Sequence, residues 1–304
     1  MIATTSRPAP AASPADHPVW PALLSRPYPA VMGVLNVTPD SFSDGGQFVA
    51  PERALAQARR MIAEGADIID IGAESTRPYG AQPIAADEER QRLEPILAAV
   101  VSLGVPVSVD SMKSSVVGWA LDEGATIAND VWGLQRAPDM ATLVAARHCP
   151  VIIMHNRDHA DASIDIMKDI AAFFSRSLDI AAKAGIAPGH IVLDPGIGFG
   201  KTSEQSMTAL ARLKELRVFG LPLLVGASRK RFISSVTPSE PQQRLGGSIA
   251  AHLMAAQAGA RIIRTHDVAE TVQALRVAAA IEGQGLESQG LEGQELEGRA
   301  IRGS

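Results

Sequence analysis

The chain is poor in the features that mark secreted, membrane or nucleic-acid-binding proteins. Of its 304 residues only Cys149 is a cysteine, so no intrachain disulfide is available, and no Cys/His cluster has zinc-site spacing. That usage points to a reducing compartment, and the expected location is the cytoplasm. No stretch approaches the ~18 consecutive apolar residues of a membrane span, and the start lacks a cationic segment leading into an apolar run. Positive charge is not in excess either. Against 28 Lys and Arg stand 33 Asp and Glu, a formal charge of -5, which argues against the basic surface that nucleic-acid binding requires. No membrane and no nucleic-acid partner is expected.

What is present suffices for a large core, with 46% hydrophobic and 20% charged residues. The two ends differ from the middle. Residues 1–29 hold seven of the twenty prolines together with Ala and Ser, and are expected to be a flexible lead-in. Residues 282–304 repeat Gly, Gln, Leu and Glu without an aromatic. They are expected to be a low-complexity, disordered tail, too rich in glycine for a packed helix. Residues 30–281 remain, close to the ~250 residues of a (β/α)8 barrel.

Within that span eight short runs rich in Val, Ile and Leu recur: VMGVLN at 31, DIIDIG at 67, PVSVD at 106, ATIAND at 125, PVIIMH at 150, HIVLD at 190, LPLLVGAS at 221 and ARIIRTHD at 260. Nearly continuous apolar runs are the mark of parallel strands covered on both faces, and helical patterns such as PERALAQARRMIAEGA lie between them. The predicted fold is a single (β/α)8 TIM barrel. An open doubly wound sheet is the alternative, but it gathers its reactive groups at one switch point. Here polar groups close nearly every run, namely Asn36, Glu74 just beyond Gly72, Asp110, Asn129 with Asp130, His155, Asp194, and Arg264 with His266. In a barrel such residues converge on one mouth.

The loops after the strands carry the chemistry. LNVTPDSFSDGG (35–46) is a long polar loop in which Phe42 hints at a lid, and AESTRPYGAQ (73–82) sets Arg77 before a rigid Pro78, as a rim ion pair or an anion clamp. DPGIGFGKT (194–202) nearly spells a nucleotide-binding P-loop, yet Pro195 stands where that motif needs its first glycine. Asp110, Asn129 and Asp194 form an acceptor-rich set suited to the donor edge of an amino-heterocycle. Arg264, His266 and Lys230 supply a fork, a chargeable donor and a point charge for an anionic end. His252, His148 and His190 are expected to be packing residues.

LNVTPDSFSDGG, DIGAESTRP, SVDS, IANDVWGL, IMH, LDPGIGFGK, LLVGASRKRF and RTHDV, in this order, closely resemble the dihydropteroate synthase family. The resemblance spans about 31–281 and implies a transferase of folate biosynthesis on a (β/α)8 barrel, with Mg2+ as cofactor and a homodimeric assembly. That family joins 6-hydroxymethyl-7,8-dihydropterin pyrophosphate to 4-aminobenzoate and releases pyrophosphate. It further implies roles. Asp110, Asn129, Asp194 and Lys230 would grip the pterin between Val131 and Met154. Asn36, Arg264 and His266 would hold the pyrophosphate, with Asn36 seating the metal. Thr76, Arg77, Pro78, Phe199 and Ser228 would form the aminobenzoate pocket, and Phe42 and Asp44 would close over it. Asp194, Lys230, Arg264 and Asn36 would be the catalytic set. Tyr79, where the family usually has Gly, and the HNRD run at 155–158 depart from the pattern. The alternatives are a pterin-binding methyltetrahydrofolate methyltransferase, which needs no pyrophosphate site, and a non-catalytic pterin-binding protein.

Overall fold

The structure, a computed structural model, describes residues 19–37, 49–74 and 84–301, with the last helix described beyond Gln284 by its backbone alone. Eight parallel strands, β1 (Ala30–Asn36), β2 (Ile68–Gly72), β3 (Val107–Asp110), β4 (Ile127–Asp130), β5 (Val151–Met154), β6 (Ile191–Asp194), β7 (Leu223–Val225) and β8 (Ala260–Thr265), close into a barrel in sequence order. The barrel is sealed by β1 pairing with β8, Met32 opposite Arg264. All eight predicted runs are strands, and the TIM barrel is the fold.

In chain order the helices are α1 (Trp20–Leu24), α2 (Val49–Ala63), α3 (Ala86–Leu93), α4 (Leu97–Val101), α5 (Ser114–Asp122), α6 (Met140–Arg147), α7 (Ile166–Ala184), α8 (Ser203–Ala211), α9 (Arg231–Val236), α10 (Leu245–Gln257) and α11 (Val268–Ile301). The longest inner helix illustrates why they form. In α7 Asp165 caps the start by accepting the N–H groups of Met167 and Lys168, and Gly185 ends it at φ 86°. Its buried Ile166, Ile170, Phe173, Phe174, Ser177 and Ala181 follow the three-to-four spacing of one face. That face joins the large apolar layer between strands and helices, and Asp169 is left at the rim.

A second, smaller core fills the barrel. Met32, Ile68, Ile127, Ile152, Val192, Leu224 and Ile262 meet at its lower end, and Trp20 of α1 plugs them from below with no exposed surface. The expected flexible lead-in therefore ends earlier than residue 29. Trp20 and Leu23 bury apolar area that offsets the cost of ordering a Pro-rich segment, while residues 1–18 lie outside the described residues. At the other end the backbone of α11 extends to Ile301.

Candidate active site at the barrel mouth

Side chains in a strand alternate faces, so every second residue points into the barrel. Moving up one pleat from the apolar plug, Ile68 gives way to Asp70, Ile127 to Asn129, Ile152 to Met154, Val192 to Asp194, Leu224 to Gly226 and Ile262 to Arg264. On β3 the same step leads from Ser108 to Asp110. One pleat thus converts a hydrophobic core into a polar chamber at the carboxyl ends of the strands. Asp110, Asn129, Val131, Met154, Asp194, Phe199, Lys230 and Arg264 all line one pocket there, joined by Ile197 and Gly226.

Arg264 is the centre of its charge network. Its Nε donates to Asp70 at 2.6 Å and its terminal nitrogen to Asp110 at 2.8 Å. Burial pulls the guanidinium pKa down, but the charges of Asp70 and Asp110 outweigh it and the net shift is upward. Asn129 donates to both Asp70 oxygens at 3.3 Å, which leaves its carbonyl oxygen as the acceptor end of the amide. Burial, then the neighbouring Asp70 charge, push Asp110 up to about 7, against the opposing Arg264. The second oxygen of Asp110 is buried without a hydrogen-bond partner among the described residues. Burial likewise raises Asp194 to about 6, opposed by the Gly196 N–H that it accepts at 2.7 Å and by Arg264 and Lys230.

Apolar walls complete the pocket. Val131, Met154 and Phe199 form one buried cluster, and the Lys230 ammonium stands 4.1 Å from the centre of the Phe199 ring. Lys230 occupies the N-cap of α9 behind Arg229, which takes a left-handed φ of 57°. Arg229 is tied by its guanidinium to Asp267 and by its N–H to Ser248, so the loops after β7 and β8 are braced together. Ser228, assigned by the resemblance to the aminobenzoate pocket, has its hydroxyl 3.0 Å from His266 Nδ1. Burial, then Arg264, Arg229 and Lys230, hold His266 down at about 3. His266 does not line the pocket, and its lowered pKa favours a neutral imidazole beside Ser228 over the charged donor that the sequence offers.

Asn36 ends β1, paired with Gly72, half-buried at the same mouth but not lining the pocket. Phe42, Asp44, Thr76, Arg77 and Pro78, with Tyr79, lie outside the described residues. Asp70 went unassigned from the sequence. Its signal was there, since an aspartate inside the apolar run DIIDIG, at the parity of Gly72, must find a buried partner.

Residues 32–266 match the family described as pterin binding enzyme. The dihydropteroate synthase of Bacillus subtilis (strain 168) is 42% identical over 256 residues, 84% of this chain and 89% of that protein. The chain belongs to the dihydropteroate synthase family. Among solved structures of the family, Xanthomonas albilineans dihydropteroate synthase with 4-aminobenzoic acid is 44% identical, with a TM-score of 0.81 over 84% of this chain and 93% of that one. The same enzyme in complex with 7,8-dihydropteroate is 42% identical at a TM-score of 0.78, over 84% of this chain and 94% of that one. Dihydropteroate synthases of known structure thus share the barrel with this chain.

Proposed function

We propose that the protein condenses 6-hydroxymethyl-7,8-dihydropterin pyrophosphate with 4-aminobenzoate, forming 7,8-dihydropteroate and pyrophosphate in folate biosynthesis. The observation that carries this is the chamber one pleat above the plug, where buried acceptors, an apolar slot and half-buried cations meet. Asp110, Asn129 and Asp194 present acceptor oxygens to the amino and ring N–H groups of the pterin, and the partnerless Asp110 oxygen needs such a donor. Val131 and Met154 face the flat heterocycle, and Phe199 with Lys230 closes the side from which the aromatic amine arrives. Arg264 and Lys230 neutralise the departing pyrophosphate, with His266 and Asn36 at its edge. Breaking the carbon–oxygen bond leaves positive charge on the pterin methylene. Asp194, ionised above about pH 6, stabilises that charge until the amine nitrogen attacks, and the proton the amine then loses leaves with the released pyrophosphate.

Magnesium fits this arrangement as a companion of the pyrophosphate. Among the described residues no three His, Cys, Asp or Glu side chains form a cage. Mg2+ rarely uses one, being held by one or two protein oxygens plus phosphate and water. Asn36 would contribute its carboxamide oxygen, and the ion supplies positive charge to the leaving oxygens when bound. The same reading places the enzyme in the cytoplasm as a homodimer. The single cysteine, Cys149, is buried with its thiol pushed up to about 11, and no described helix is long and apolar enough to cross a membrane.

The test is release of pyrophosphate by purified protein with each substrate alone and with both. Release that requires both substrates and is abolished by chelating Mg2+ is expected. Equal release without 4-aminobenzoate contradicts the condensation, and full turnover after thorough chelation removes the metal from the account.

A further inference from the structure

The loop between β6 and α8 has no regular structure, yet it supplies Ile197 and Phe199 to the pocket. Its glycines are forced. At Gly196 (φ 65°) a Cβ would lie 1.9 Å from the carbonyl oxygen of His155, and at Gly200 (φ 54°) it would lie 2.4 Å from Cβ of Arg157. A backbone this permissive has many conformations, and something must select one. The loop winds around the ammonium of Lys201, which is buried and donates to the carbonyls of Gly196 at 2.9 Å and Phe199 at 3.1 Å. Its third partner is His155 Nδ1, at 2.6 Å. The far ring nitrogen of His155, Nε2, sits 2.9 Å from Asp169, a carboxylate of α7 that also meets Arg157 at 3.5 Å.

The hydrogen bonding of this chain has one consistent direction. Asp169 accepts from Nε2–H, so Nδ1 carries the lone pair and accepts from Lys201. In the charged form the three ammonium hydrogens then meet three acceptors, one imidazole and two carbonyls, while burial lowers Lys201 to about 7 against the opposing charges of Asp194 and Asp169. Burial, then the cations Lys201 and Arg157, keep His155 neutral by lowering it to about 2, which agrees with that tautomer. None of the three side chains lines the pocket, and Asp169 lies in a separate surface groove with Arg157 and Phe173.

We propose that Lys201 is a positioning residue for the condensation. Oriented by the Asp169–His155 relay, its ammonium fixes the Phe199 carbonyl, and so the ring that walls the aromatic-amine side of the pocket. This rests on the function proposed above. The relay acts on the second substrate more than on the first, because the pterin acceptors stand on strands, while Phe199 stands on the loop that Lys201 organises.

The experiment compares wild type with Lys201→Met, Asp169→Leu and Asp169→Asn. It reads both Michaelis constants, kcat, and amide hydrogen exchange over residues 196–200. Lys201→Met is expected to raise the aminobenzoate constant at least about tenfold more than the pterin constant, a difference of ~1.4 kcal/mol. Asp169→Leu, at a half-buried rim position, is expected to do the same to a smaller degree, and Asp169→Asn, which keeps an acceptor for Nε2–H, to restore the wild-type ratio. Loop exchange should accelerate in the first two variants and not in the third. Equal rises in both constants, or loop exchange unchanged in Asp169→Leu, overturn the proposal. Should Lys201→Met fail to melt cooperatively, the two Asp169 variants decide alone. A wild type without condensing activity whose loop exchange still divides the variants overturns the proposed substrates and leaves the relay standing.

Discussion

Asp70 is the residue on which the polar chamber turns, because it fixes both the Arg264 fork and the Asn129 amide while touching no solvent. Its charge is also the second cause, after burial, of the raised Asp110 pKa. Removing the charge while keeping the shape, as in Asp70→Asn, leaves Arg264 with Asp110 as its remaining ion-pair partner and lets Asp110 ionise at lower pH. The expected outcome is a weakened pterin substrate, with a Michaelis constant up about tenfold, and an acid limb of kcat/KM moved to lower pH than in the wild type. A pH profile of both proteins checks this. An unmoved limb would assign the titration to another group. His266 teaches the complementary lesson. A histidine beside arginine and lysine reads as an anion site, but burial and those same cations keep it neutral.

At the scale of elements, the eight strands were legible because parallel strands covered on both faces leave continuous aliphatic runs, and their polar last residues named most of the pocket. Val131 and Phe199 were reached only through the family resemblance, since an apolar wall carries no chemical signature. Three things escaped for physical reasons. Asp70 is mid-strand, where parity matters and strand ends do not. Lys201 closes a run that fails as a P-loop at Pro195, although a lysine amid glycines is also a way to organise a loop from within. Trp20 stands among prolines that mask it in the sequence, although one large ring needs only a short helix, α1, to reach the base of the barrel. Replacing that plug by Trp20→Ala should cost ~3–5 kcal/mol in denaturant unfolding, the range for deleting a large buried aromatic. Activity at 25 °C should stay near wild type, since the mouth is at the opposite end. Loss of less than ~1 kcal/mol would mean that α1 contributes little to the core.

For the whole molecule, acid stability is a balance of opposite signs. His155, His252 and His266 have folded pKa values lowered by burial, so in acid the unfolded chain binds more protons and stability falls as pH drops below about 6.5. Asp110, Asp130 and Asp194 are raised by burial to about 7, 6 and 6, so they favour the fold as pH drops through that same range toward their unfolded values. His252, lowered to about 4 and remote from the pocket, isolates one side of this balance. In His252→Gln the loss of unfolding free energy between pH 7 and pH 4 should shrink by ~3 kcal/mol. An unchanged difference would mean that this histidine does not titrate with folding. The larger claim is that one pleat step turns an aliphatic plug into a chamber that grips a pterin, releases its pyrophosphate and delivers it to an amine. The most direct measurement is the stoichiometry of the two products, 7,8-dihydropteroate by mass spectrometry against pyrophosphate by enzymatic assay, in one reaction of the purified protein. The account predicts equal amounts at every time point, and pyrophosphate accumulating without dihydropteroate would contradict it.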